Sequence, residues 1–108
     1  MTCGFEVTDC FGRTVRLSHA NWQSHIQKRP GVAKYHDVLP EVLSAPDIVI
    51  EAPGTGDYHF YRRDFARLRL HSVWLHVVVI YDADVDGWVA SAWVTQRIRP
   101  GVQRWPKP

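Results

Sequence analysis

The segment "SVWLHVVVIYD", residues 72 to 82, constrains the fold of this chain more than any other. It is the longest apolar run, yet it is only about half of what a membrane helix needs and it carries a histidine, so it predicts a central strand and no membrane span. "ADVDG" then turns the chain, and "WVASAWVTQ" returns antiparallel beside it. Upstream, "DIVIEA" and "YHFYRR" read as two further strands joined by Pro53-Gly54-Thr55-Gly56, a strong turn signal.

The first half of the chain follows a different period. "GFEVTDCFGRTVRL" has two β-prone runs around Phe11-Gly12-Arg13 and predicts a small hairpin, or a strand and a turn. "LSHANWQSHIQKRP" reads as a short helix with Ser18 as its N-cap and Pro30-Gly31 as its stop. At about 100° per residue, Trp22 and Ile26 define its buried stripe, and His25 and Arg29 fall beside Trp22 on that stripe. In "YHDVLPEVLSAPD", Val38, Leu39, Val42 and Leu43 recur at helical intervals, Pro40 is tolerated in the first turn, and Pro46 ends the element. The expectation is an α+β fold, with two short N-terminal helices packed on one face of a four-stranded antiparallel sheet.

With 108 residues, of which 45% are hydrophobic, residues 1–108 suit one domain with a modest core. The start "MTCGFEVTDC" has neither the basic end nor the apolar centre of a signal peptide, which points to the cytoplasm. Cys3 and Cys10 match no common zinc or redox spacing and read as ordinary thiols or a local disulfide. Six histidines, His19, His25, His36, His59, His71 and His76, form no HxxxH, HxH or HExxH unit on a plausible element, so neither a metal nor another cofactor is expected.

The net charge of +2 is unevenly spread. The first 86 residues hold nine Lys and Arg against eleven Asp and Glu, whereas Arg97, Arg99, Arg104 and Lys107 follow with no acid. The tail 97–108 is thus a basic strip near Trp93 and Trp105. Such a strip suits a phosphate backbone with exposed bases; it suits a solubilising terminus equally well.

Alternation along the strands separates two faces. In the last predicted strand Trp88, Ala90, Ala92 and Val94 share one face, while Val89, Ser91, Trp93 and Thr95 share the other. In "YHFYRR", His59, Tyr61 and Arg63 alternate with Tyr58, Phe60 and Arg62. One sheet face therefore carries hydroxyls, arginine and aromatic rings together. A solvent-facing sheet gathers the same residue types for β-propensity alone.

The order "W..HI..RPGV", "EVLSAPDIVI", "YHFYRR", "LHVVVIYD" and "WVASAWVTQRIRPGVQRW" resembles the phage-barnase-EndoU-colicin-RelE-like (PBECR) nucleases, over roughly residues 15 to 105. The resemblance implies a compact α+β ribonuclease fold whose open sheet face cuts RNA without metal. Carried onto matching positions, it marks His25, Tyr61, Arg62 or Arg63, and Ser91. Ser91-Ala92-Trp93 stands where many relatives carry Thr-Ala-Tyr, and Arg29-Pro30-Gly31 where relatives often show His-Pro-Glu, which removes a second histidine.

Metal-free RNA cleavage requires the 2′-hydroxyl to lose a proton, the phosphorane to be stabilised and the leaving 5′-oxygen to gain a proton. His25 suits proton transfer near neutral pH. Arg62 suits the non-bridging oxygens, with Arg63 as its alternative. Ser91 completes the catalytic set as a hydrogen-bond donor to the phosphate, with Thr95 beside it. Tyr61 and Trp93 are candidates for base stacking, and Arg63, Thr95 and Arg97 for substrate binding. The expected activity is that of a toxin-like or phage-associated endoribonuclease making 2′,3′-cyclic phosphate ends. RNA is the expected partner, with a cognate inhibitor protein as a second. A module that binds RNA or protein and does not cleave is the competing expectation.

Overall fold

The computed structural model describes residues 4–29, 31–65, 68–70, 72–82 and 85–106. A hairpin of β1 (Phe5–Thr8) and β2 (Thr14–Leu17) comes first. Helix α1 begins as one α turn, His19–Asn21, and continues as a π turn, Trp22–Ile26. A 3-10 segment, Ala33–Val38, runs into α2, Leu39–Ser44. The remainder is extended: β3 (Ile48–Glu51), β4 (Tyr58–Arg62), β5 (Asp64–Phe65), β6 (Leu68–Arg69), β7 (Trp74–Asp82), β8 (Asp86–Thr95) and β9 (Val102–Trp105).

Seven of these strands form one sheet in the order β1-β2-β8-β7-β4-β3-β9, and β5 pairs with β6 apart from it. All neighbours in the large sheet are antiparallel except β2 and β8, which are parallel. The fold is therefore mixed α+β with a seven-stranded sheet and two short helices. It is not the four-stranded antiparallel sheet with two packed helices that the sequence predicts. The predicted meander, β3-β4-β7-β8, is the middle of the sheet, which the predicted hairpin and the basic tail extend at its two ends. At one end, β2 docks alongside β8 through Thr14–Arg16. At the other, the basic tail returns as β9 on the outer side of β3, with a register shift between Val49 and Ile50.

Local chemistry explains how the hairpin reaches the sheet. Asp9 Oδ1 accepts the N–H groups of Phe11 and Arg13, both at 2.9 Å, which closes the turn. Its Oδ2 accepts the Tyr81 hydroxyl of β7, and the Arg13 guanidinium lies 4.5 Å from the Tyr81 ring centre. Gly87 on β8 makes room for that ring, because a Cβ there would lie 2.7 Å from Tyr81 Cδ1. Cys10 follows as a free, half-buried thiol whose pKa burial pushes up to about 12; Cys3, the other half of a predicted local disulfide, lies outside the described residues.

The main core lies between the helices and one sheet face. Trp22 and Ile26 of α1 and Leu39, Val42 and Leu43 of α2 pack with Val15, Leu17, Val49, Phe60, Leu75, Val77, Val79, Val89 and Ala92. Ser18 caps α1, its Oγ accepting the Asn21 N–H at 3.0 Å, and Pro40 sits at the start of α2, where its missing N–H costs nothing. The π turn is marked by Gln27 N–H donating to Trp22 O at 3.0 Å. More residues per turn bring Trp22 and Ile26 into one buried row and swing His25 away from it, so His25 is exposed, not inward-facing as the α-period predicts.

A β-bulge decides which side chains share a face in β8. Val78 pairs with Ser91 and Val79 with Val89, which leaves Ala90 as the extra residue. Alternation shifts by one at that point. Val89 turns to the core at 1% exposure, and Trp88 joins the opposite face at 46%, the reverse of the sequence expectation for these two. Asn21 Nδ2 donates to Val89 O at 2.7 Å and to Ala90 O at 3.4 Å, tying α1 to the bulge next to Ser91.

Candidate functional site on the helix-free sheet face

Opposite the helices, register brings together His59 and Tyr61 of β4, Trp74, His76 and Val78 of β7, and Ser91, Trp93 and Thr95 of β8. This face is polar and aromatic but far from wet: His59 is 5% exposed and His76 1%. The rings stack along it. His76 lies flat on Tyr61, with centroids 4.3 Å apart and planes 24° apart, and Trp93 covers its other side at 4.2 Å. His59 Nδ1 and His76 Nε2 approach to 2.7 Å, a hydrogen bond shielded from solvent. His76 Nδ1 has no partner among the described residues.

Two segments frame this floor. After β8 the chain crosses back toward β9, and the Arg99 N–H donates to the Tyr61 hydroxyl at 3.0 Å. Gly101 lets that segment pass close to β3, since a Cβ at Gly101 would lie 2.5 Å from Glu51 O. On the other side, the residues after α1 lay the Arg29 guanidinium 4.7 Å from the Trp93 ring centre. A cavity of about 690 Å³ opens between them, with Arg29, Asp57, His59, Ser91, Trp93 and Arg99 among its walls. Two guanidiniums against one carboxylate give it a net positive wall even with the histidines neutral.

Both imidazoles are held below their ordinary pKa. Burial lowers the His76 pKa to about 3, with His59, Arg99 and Arg29 adding to the effect. His59 is lowered first by burial and then by Arg99, while Asp57 acts in the opposite direction. Burial also raises the Tyr61 phenol. The site therefore presents cations and neutral hydrogen-bonding groups beside apolar ring surface, an arrangement that binds an anion carried on a flat organic group.

Among the expected site residues, the structure brings Ser91 and Trp93 into the cavity. Tyr61 is next to it but fully buried, with its ring against His76 and its hydroxyl engaged by Arg99, so it supports the floor and offers no free face to a base. Arg62 points the other way. Its register partner is Leu75 of the core face, its Nη2 pairs with Glu41 Oε2 at 3.0 Å, its Nε donates to Asp64 O at 2.8 Å, and its Nη1 donates to Ala45 O. Arg62 thus clamps α2 to β4, on the face opposite Ser91. Arg63 lies along the Trp74 ring, 3.6 Å from its centre, with its Nε buried and unpartnered among the described residues.

Thr95 Oγ1 accepts the Arg97 N–H at 3.4 Å and donates to Arg97 O at 3.3 Å, closing the turn that leads to Arg99; Arg97 is exposed. His25 is exposed on α1, four residues before Arg29, and is not among the residues of the cavity wall. Sequence reasoning missed Arg29, His59, His76 and Arg99 as site residues. A signal existed for the histidines: His59 alternates with Tyr61, and His76 is the one polar side chain inside the most apolar strand.

Among the described residues, no group of three or more His, Cys, Asp or Glu could hold a metal ion, and no helix is long and apolar enough to cross a membrane. No protein-family model, curated protein or solved structure matches the chain.

Proposed function

We propose that the helix-free face binds single-stranded RNA and cleaves it as a metal-independent endoribonuclease, acting on cytoplasmic RNA. The observation that carries this reading is the convergence of Arg29 and Arg99 on a cavity floored by Ser91 and His59. Guanidinium forks match phosphate oxygens, and donors aimed at developing charge lower the barrier to a pentacoordinate phosphorus by a few kcal/mol, on the order of 3. Trp93 holds Arg29 by its ring, so a base stacks on the outer side of that guanidinium and not on the indole itself. The order of motifs that resembles the PBECR nucleases supports the same chemistry, although the four-stranded architecture that the resemblance implied is not the one found.

In the reaction, the 2′-hydroxyl loses its proton, O2′ bonds to phosphorus, the P–O5′ bond breaks and O5′ takes a proton. The products are a 2′,3′-cyclic phosphate and a 5′-hydroxyl, with no net uptake of water. His25 is the candidate for proton transfer, because it is exposed on α1 and lies four residues before Arg29. Incubation with total RNA in EDTA tests the proposal. Cleavage that survives chelation, leaves cyclic phosphate ends and is lost in Arg99→Ala and His25→Ala is the expected result. Intact RNA would overturn it.

One observation favours a second reading, an RNA-binding module without cleavage: among the described residues a single histidine lines the cavity, and burial and Arg99 lower its pKa. That reading expects retention of single-stranded RNA without strand scission.

A further inference from the structure

We propose that His76 is a positioning residue for His59: its Nε2–H donates to His59 Nδ1 and so holds His59 as a neutral donor whose own Nε2–H meets a phosphate oxygen in the cavity. This rests on the phosphate-binding half of the proposed function. A neutral imidazole carries one N–H, and two nitrogens 2.7 Å apart share one hydrogen between them. Two arrangements satisfy that bond. If His59 Nδ1 donates, His76 must carry its proton on Nδ1, which leaves a buried N–H with no acceptor among the described residues. If His76 Nε2 donates, Nδ1 is a bare lone pair, and His59 keeps its proton on Nε2.

Orphaned buried donors are rarer in native proteins than under-satisfied acceptors, and the second arrangement avoids one. It also adds a donor to the cavity, since His59 Nε2–H can then join the Ser91 hydroxyl, Arg29 and Arg99 in donating to one anion, against the Asp57 carboxylate in the same wall. Every element around the pair contributes to holding it. Tyr61 of β4 and Trp93 of β8 clamp the His76 ring from two sides. Arg29 beyond α1 and Arg99 beyond β8 oppose a second proton on the pair, and Asp57 at the start of β4 favours one on His59. His59 is thereby a donor to phosphate and not the base that takes the 2′-proton, a role that then falls to His25.

Ring ¹⁵N NMR of the full chain at neutral pH, with inorganic phosphate as the probe, tests this without reference to cleavage. Both histidines are expected as Nε2–H tautomers, and phosphate is expected to shift the His59 Nε2–H resonance. His76→Leu should weaken phosphate binding about tenfold, while His76→Gln, whose amide can still donate, should stay within about threefold of the parent. A His59 Nδ1–H tautomer, a resonance indifferent to phosphate, or parent-like affinity in His76→Leu would each overturn the proposal. The tautomers are read on the unaltered chain, so a variant that fails to fold does not shield it. A chain that meets these expectations and leaves RNA intact overturns the nuclease reading and leaves this one standing.

Discussion

Both faces of the sheet hold fully buried side chains, by different means. Under the helices, Phe60, Val77 and Val79 lose water to other hydrocarbon and carry no polar side-chain atom that has to be satisfied. On the opposite face, Tyr61, His59 and His76 are equally dry, yet each must find a partner: Arg99 for the phenol, and one another for the imidazoles. The first solution supplies stability. The second keeps polar atoms poised at a fixed geometry and costs stability wherever one is left unmatched.

The sharpest way to break this contrast is to truncate one residue of each face at neighbouring positions. Phe60→Ala should cost about 3–5 kcal/mol in urea unfolding, the usual loss for a fully buried aromatic. Tyr61→Phe removes only a hydroxyl and should cost about 1 kcal/mol, while releasing the Arg99 segment and weakening RNA binding. Equal stability losses would remove the distinction between the faces.

Acid provides the next largest effect. The unfolded chain takes up a proton on His76 near pH 6.5, whereas the folded chain resists it down to about 3. The folded state therefore binds fewer protons in that window, and stability falls as pH drops below about 6.5, by roughly 2 kcal/mol at pH 5. Urea midpoints at pH 7 and pH 5 measure this, and His76→Leu should flatten the dependence. An unchanged slope in that variant would place the acid sensitivity elsewhere.

Two arginines on opposite sides of the sheet give a finer comparison. Arg62→Ala should lower stability by about 1–2 kcal/mol through loss of the clamp on Glu41 and Ala45, and leave RNA binding as it was. Arg99→Ala should do the reverse. Filter binding of labelled RNA together with thermal unfolding separates the two.

Much of this organisation is legible in the sequence because it rests on local periodicity. The alternation in "YHFYRR" and "WVASAWVTQ", the turn at Pro53–Gly56, the Ser18 cap and the placement of Pro40 all follow from short-range rules, and the polar face was visible from them. What the rules do not see is pairing at a distance. Nothing local distinguishes Val102–Trp105 as an edge strand from a free basic tail, or makes Thr14–Leu17 the parallel neighbour of β8. The bulge at Ala90 is equally silent, and it alone exchanges the sides of Trp88 and Val89. Arg62 at the end of β4 and Arg63 just past it carry the same charge, and only the fold assigns one to the helices and the other to Trp74. His25 was placed inward by an α-helical period that the π turn replaces.

The most direct test of the proposed RNA-binding face is a chemical-shift map of a single-stranded oligonucleotide made uncleavable by 2′-O-methylation. The largest shifts should fall on Arg29, His59, Ser91, Trp93 and Arg99, with Leu39 and Val42 of α2 unaffected and the affinity falling steeply with salt. Shifts centred on α2, or no binding at low salt, would contradict the account.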